Sequence, residues 1–197
     1  MSRARKPATP PPEAVSPARP AAAAAPDKAR LTREQRALIA SRLTEAERLC
    51  NERGTLLTPL RREVLKLLLE RGGSAKAYDL HDDMRNLHGR VAPMTVYRAL
   101  DFLMQMQLVH RVDSLNVFIA CSHDDTAQHD HNHDALMLVC TVCDKVVEQS
   151  DPEMSHRLST ELGKRFGFAA HGIEIKGVCR ECVAAQADKA RPEPARR

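Results

Sequence analysis

Three of the chain's six cysteines and four of its nine histidines fall between Cys121 and Glu148. In order the stretch offers Cys121, His123, His129, His131 and His133, then Cys140-Thr-Val-Cys143, then Glu148, and a second pair, Cys179-Arg-Glu-Cys182, follows downstream. Thiolate and imidazole are borderline-soft donors that suit zinc, and two residues between cysteines let one turn aim both sulfurs at a single ion. The expectation is a metal-sensing stretch. Cys140, Cys143, Cys179 and Cys182 can enclose one zinc tetrahedrally with no open position, so that site contributes folding energy and performs no chemistry. The 35 residues between the pairs exceed a compact zinc-ribbon spacing, so the ion must staple strands distant in sequence. His123, His129 and His131 offer either a further, weaker metal site or a solvated loop with adventitious affinity.

The elements that position these donors divide into two small domains, a division that suits 197 residues with 43% hydrophobic content. Aromatics are 3% and Trp is absent, so the cores are built from Leu, Val, Ile, Met and Ala. No window approaches the roughly 20 consecutive apolar residues of a membrane span, and the N-terminus has no apolar signal core, so a cytoplasmic protein is expected. In that compartment the two C-x-x-C pairs read as metal ligands before redox dithiols. The net charge of +4 hides an asymmetry. Residues 31–115 carry fourteen basic against eleven acidic side chains, whereas residues 116–183 carry six against eleven. The first half is therefore the one suited to DNA.

Residues 1–30, with Pro10-Pro11-Pro12 and the alanines 21–25, read as a disordered basic tail, and residues 184–197 as another. Between them, Leu38, Ile39, Leu43, Ala46, Leu49 and Cys50 recur at helical spacing from Thr32 to Arg53, with Cys50 as a buried thiol. Thr58-Pro59 caps and opens a helix that Gly72-Gly73 stops. Ser74 is the expected cap of the next, with Ala77, Leu80, Met84 and Leu87 inward and an end near Gly89. A further helix from Pro93 turns Val96, Leu100, Leu103 and Met104 inward and Thr95, Tyr97, Arg98 and Asp101 outward. Leu108–Asp113 and Asn116–Cys121 flank Ser114-Leu115 as a hairpin, the wing of a winged helix. After the His-rich loop, 122–134, come strands at 135–140 and 145–148, a helix opened by Asp151-Pro152 with Leu158 and Leu162 inside, and a strand from Gly172 to Val178. The fold class is α+β: a winged helix-turn-helix DNA-binding domain over 31–121, then a small α/β dimerisation and metal-binding domain over 135–183.

This order of winged helix, metal loop and paired C-x-x-C resembles the ferric uptake regulator family of metal-responsive repressors over roughly residues 40–183. The resemblance is carried by Leu57-Thr-Pro-Leu-Arg61, Ala77-Tyr-Asp-Leu80, Thr95-Val-Tyr-Arg-Ala-Leu-Asp-Phe-Leu103, the segment from Phe118 to Cys121, and both cysteine pairs. It is most similar to the zinc uptake regulator branch. Iron-sensing members typically carry a His-His-Asp-His cluster just before the first C-x-x-C, where this chain has Ala135-Leu-Met-Leu138, and Cys121 is a soft ligand.

The resemblance implies a regulatory zinc site made by His110, Cys121, His133 and Glu148, hence two zinc ions per subunit. One ion held by wing and second domain together would set how the domains sit. It also implies a recognition helix in the major groove. Arg98 is then placed to make bidentate bonds to guanine, Tyr97 to touch thymine methyls or a phosphate, Thr95 to face the groove, and Tyr78 and Arg61 to contact phosphates. One winged helix covers one half-site, so a homodimer on a near-palindromic double-stranded DNA operator is expected. The implied function is a zinc-responsive repressor of zinc-uptake genes. Iron, manganese or nickel sensing within the family, and a zinc buffer or carrier, are the alternatives. An enzyme is not expected, nor a small-molecule substrate: no His-x-Glu or Pro-Cys-x-x-Cys of a zinc deaminase occurs, and no H-E-x-x-H, G-x-S-x-G or phosphate-loop glycine pattern.

Overall fold

A computed structural model describes residues 31–121, 136–149, 151–168 and 172–189. The readings of 1–30 as a tail and of 122–134 as a His-rich loop lie outside the described residues.

Helix α1 (Arg33–Glu52) opens with a reciprocal capping box: Thr32 Oγ1 accepts the Gln35 N–H at 3.1 Å, and Gln35 Oε1 accepts the Thr32 N–H at 2.8 Å. It buries Leu43, Ala46, Leu49 and Cys50 against α2 (Pro59–Glu70), but Leu38, expected on the same face, is 64% exposed. Leu38 lines an open groove between the first turns of α1 and the end of α2, with Ile39, Leu69 and Gly73. Thr58 caps α2 and Pro59 is its first residue, as expected.

Gly72 and Gly73, at φ +78° and +81°, turn the chain into a two-residue strand, β1 (Ser74–Ala75). Ser74 is therefore opposite Ile119 in a sheet and does not cap the next helix. Helix α3 (Ala77–His88) starts two residues later than a Ser74 cap would set it, after Lys76, whose N–H goes to the Asp79 carboxylate at 3.3 Å. It ends at Gly89, with Leu87 55% exposed instead of buried. Helix α4 (Pro93–Gln105) buries Val96, Ala99, Leu100, Phe102 and Leu103.

Strands β2 (Val109–Val112) and β3 (Val117–Ala120) form the hairpin, and the sheet order is β1-β3-β2. The expected two-residue turn is a four-residue loop, 113–116, because Asn116 takes the left-handed conformation at φ +52°, which its short polar side chain tolerates. Helices α1 to α4 and this hairpin share one core, from Leu43 through Leu103 to Phe118.

The second half is a mixed sheet of β4 (Leu136–Cys140), β5 (Val146–Gln149) and β6 (Ile173–Gly177) in the order β5-β4-β6. β5 runs antiparallel to β4 and β6 parallel, the latter through helix α5 (Pro152–Phe166), since a parallel return needs a crossover. Leu158 and Leu162, expected inside, are only half-buried; Ser155 is the fully buried residue of α5 among those described. One face of the sheet packs Met137 and Val139 on Val112 and Ile119 of the hairpin, with Leu115, Val117 and Val146 at the margin. On the other face Leu138, Val147 and Ile175 stand side by side across three strands, 41%, 44% and 46% exposed. Helix α6 (Arg180–Lys189) carries the chain past residue 183, so the stretch read as a tail from 184 starts as helix. Its residues Ala184, Ala185, Gln186 and Ala187 are strong helix formers, which offset the charge and proline content further on.

Candidate metal centres and nucleic-acid face

Cys140 ends β4, and the turn that follows is held in place by Thr141, whose N–H and hydroxyl both donate to the Gly177 carbonyl, at 2.8 and 3.1 Å. That pins the first cysteine pair to the end of β6, beyond which Cys179 immediately precedes α6 and Cys182 lies in its first turn. All four sulfurs lie within 4.8 Å of one another, and Cys143 and Cys179 are 3.8 Å apart. A zinc–sulfur bond of about 2.3 Å gives a tetrahedron with edges of about 3.8 Å, so the quartet has the size of a zinc site.

Its electrostatics point the same way. The N–H groups of Cys179, Cys143 and Val142 face the Cys140 sulfur and hold its thiol down at about 6, whereas the neighbouring Cys179 sulfur and then burial push Cys182 up to about 12. The first thiolate is thus favoured and the last disfavoured while no cation lies among the sulfurs. A divalent ion removes that penalty. Lys145 and Glu181, paired at 2.9 Å, flank the quartet.

The second cluster draws on both halves. His110 comes from β2, Cys121 follows β3, and Glu148 comes from β5. His110 Nε2 lies 3.1 Å from Glu148 Oε1, and Cys121 Sγ lies 3.7 Å from the same oxygen. Tetrahedral zinc with nitrogen, oxygen and sulfur ligands spaces such atoms at about 3.3 and 3.5 Å, close to what is observed. The Glu148 side chain is 3% exposed and that of His110 14%. Burial alone would lower the His110 pKa, but the Cys121 and Glu148 groups against it outweigh that and raise it to about 9. The cluster thus favours a cation among its members, which is what a zinc ion would supply. Of the four residues of the expected regulatory site the structure brings three together. His133, like His123, His129 and His131, lies outside the described residues. Cys50 is fully buried, with its thiol pushed up by burial, in the core and away from both clusters.

On the first half, Tyr97 and Arg98 are exposed on α4, with Tyr97 at 45%, while Thr95 is half-buried. Tyr78, in the first turn of α3, is 69% exposed. Arg61 has a role that the sequence reading missed: its guanidinium lies 3.4 Å over the Phe102 ring and donates to the Leu56 carbonyl at 2.9 Å. Also missed was Glu174, whose carboxylate accepts hydrogen bonds from the hairpin turn. Met94 stands 59% exposed beside Thr95 at the start of α4.

The fold and these clusters define a winged-helix protein whose wing shares a metal-ready cluster with an α/β module. The model of the ferric uptake regulator family matches residues 52–176, and the chain belongs to that family. It is 36% identical over 148 residues to the zinc uptake regulation protein of Escherichia coli (strain K12), an alignment that covers 74% of this chain and 83% of that one. Among solved structures it is similar to a zinc uptake regulator complexed with zinc and DNA, at 36% identity and a TM-score of 0.64 over 76% of this chain and 97% of that one. It is also similar to holo XcZur, at 41% identity and a TM-score of 0.61 over 73% and 98%. No helix among the described residues is long and apolar enough to cross a membrane.

Proposed function

We propose that this protein is a cytoplasmic, zinc-responsive transcriptional repressor that binds a near-palindromic operator as a zinc-loaded homodimer and represses zinc-uptake genes. The observation that carries the proposal is the convergence of His110 and Cys121, from the wing, with Glu148, from the second sheet. Two zinc ions per chain are proposed, one in the Cys140, Cys143, Cys179 and Cys182 quartet and one in the junction cluster, with His133 as its fourth ligand. The thiol of Cys121 favours zinc over iron, manganese or nickel, which prefer harder or more imidazole-rich sets. The relatives' names, which specify zinc uptake regulation, support the same choice.

Bound at the junction, zinc supplies a coordinative tie and no redox chemistry. His110 and Cys121 give it the wing and Glu148 gives it the second sheet. β2 follows α4 after three residues, so holding the wing holds the recognition helix. In a two-fold dimer, joined through the Leu138, Val147 and Ile175 face, the two α4 helices then stand at the spacing of two half-sites. Arg98 reads guanine, Tyr97 and Thr95 face the groove, and Tyr78 and the free edge of the Arg61 guanidinium take phosphates. Zinc acts by linkage: it binds the DNA-competent arrangement better than others and shifts the population toward it. The closed thiolate quartet offers a substrate no open position, and no enzyme activity is proposed.

A binding titration on the chain's own upstream region, with free zinc buffered at a series of levels, tests this reading. Specific binding is expected to rise with zinc as the second site fills. Zinc uptake without DNA binding would make the protein a buffer or carrier, and operator affinity indifferent to the second site would refute the switch.

A further inference from the structure

Glu174 is the second residue of β6, and its carboxylate reaches across the junction to the tip of the wing. Oε1 accepts the Asp113 N–H at 2.6 Å and Oε2 accepts the Ser114 N–H at 3.2 Å, sixty residues away in sequence. Asp113 and Ser114 open the hairpin loop. A turn's free N–H groups are a natural place for an anion, and here the second domain supplies the anion. Burial acts to raise the carboxyl's pKa, but the Ser114 hydroxyl, the Asp113 and Ser114 N–H groups and the charge of Lys176 hold it below the ordinary carboxylate range.

The wing is thus attached to the second sheet at two points. Its base carries His110 and Cys121, which meet Glu148; its tip is held by Glu174. Asp113 follows the end of β2, three residues beyond His110, which places the two attachments about 10 Å from each other. Between them Val112 and Ile119 pack on Met137 and Val139. A single tie leaves a hairpin free to pivot. Two ties with apolar packing between them set its orientation, and the second needs no metal.

We propose that Glu174 is a positioning residue, a metal-independent latch that holds the wing tip and pre-assembles the junction cluster for zinc. A protein whose binding-competent arrangement is only partly populated binds its ligand more weakly by that fraction. Glu174 raises the fraction before zinc arrives, so its loss lowers zinc affinity at a site it does not touch. The coupling to zinc rests on the function proposed above; the latch itself does not.

The experiment uses the full chain with the thiolate quartet loaded and the second site empty. Amide exchange at Asp113 and Ser114 is measured by NMR in wild type, Glu174→Ala and Glu174→Gln. Zinc affinity of the second site is then measured by competition with a chromophoric chelator. Glu174→Ala is expected to speed exchange at both amides and to weaken the second site about tenfold, the factor that corresponds to 1.4 kcal/mol. Glu174→Gln, which keeps one acceptor oxygen, is expected to recover part of both effects. Equal exchange rates in wild type and Glu174→Ala overturn the latch. Faster exchange with unchanged zinc affinity overturns the coupling and leaves only a local turn cap. Failure of zinc to bind the second site in wild type counts against the proposed function, while the exchange result still decides the latch.

Discussion

His110 Nε2 and Glu148 Oε1 face each other at 3.1 Å across the junction between wing and second sheet. Glu148 is the member of the described cluster that the second half contributes, and its side chain is almost fully buried. Glu148→Ala is therefore expected to weaken the second zinc on the order of a hundredfold, the upper end of what even outer-sphere partners of a metal cost. The thiolate quartet should stay loaded. Metal analysis paired with chelator competition separates the two sites, and an unaltered second affinity would remove Glu148 from the set.

The two kinds of cysteine should respond oppositely to substitution. Cys182→Ser opens the quartet, so one zinc per chain should be lost and the second half should unfold at lower temperature, because a structural zinc site supplies folding free energy. Cys50→Ala removes a buried sulfur from the first core and should cost about 1 kcal/mol with the zinc count unchanged. A zinc count that falls in Cys50→Ala, or that holds in Cys182→Ser, would reverse these assignments.

Leu138 has Val147 on one side and Ile175 on the other, all on the open face of the sheet. Burying a side chain of this size contributes about 1.5–3 kcal/mol, and a two-fold interface buries it twice. Leu138→Asp should turn the dimer into monomer at micromolar concentration while both zinc ions remain bound. Sedimentation at fixed zinc reads this directly, and a dimer of undiminished affinity would place the interface elsewhere.

Arg61 has five N–H donors, one of which goes to the Leu56 carbonyl while the guanidinium plane stacks on Phe102. Arg61→Ala should lower stability by about 1 kcal/mol through the lost stacking. If its outer edge also meets a phosphate, the slope of log affinity against log salt should fall by about 1. Lost stability with an unchanged slope would leave Arg61 a purely structural part.

What was legible in the sequence was what depends on neighbours along the chain. Thr58 before Pro59 and the Gly89 stop need only a few consecutive residues, and they were read correctly. Ser74 was misread because its strand partner, Ile119, lies in the distant wing hairpin. Leu38 was placed inside because periodicity marks a face but not how closely the neighbouring elements cover it. The junction cluster was reached through family resemblance alone, since nothing local to His110 or Glu148 announces the other. Glu174 escaped altogether: one acid on a short strand is unremarkable until the wing tip folds against it.

That same Glu174 gives stability a pH dependence of definite sign. Its carboxyl lies below the ordinary 4.5 because the Ser114 hydroxyl and the two turn N–H groups, with Lys176, outweigh the opposing effect of burial. A group whose folded pKa is depressed binds protons less readily folded than unfolded, so its contribution is fully present above the ordinary value and disappears as the pH falls through the lower folded one. Glu174→Gln is uncharged throughout. The stability difference between wild type and this variant, measured by urea unfolding from neutral pH downward, should be constant above about pH 5 and shrink steadily below 4.5. With the second zinc site left empty in both proteins, loss of that zinc in acid does not enter the difference. A difference that grows as the pH falls would mean that the carboxyl is raised in the folded state, and that the wing tip does not hold it as an anion.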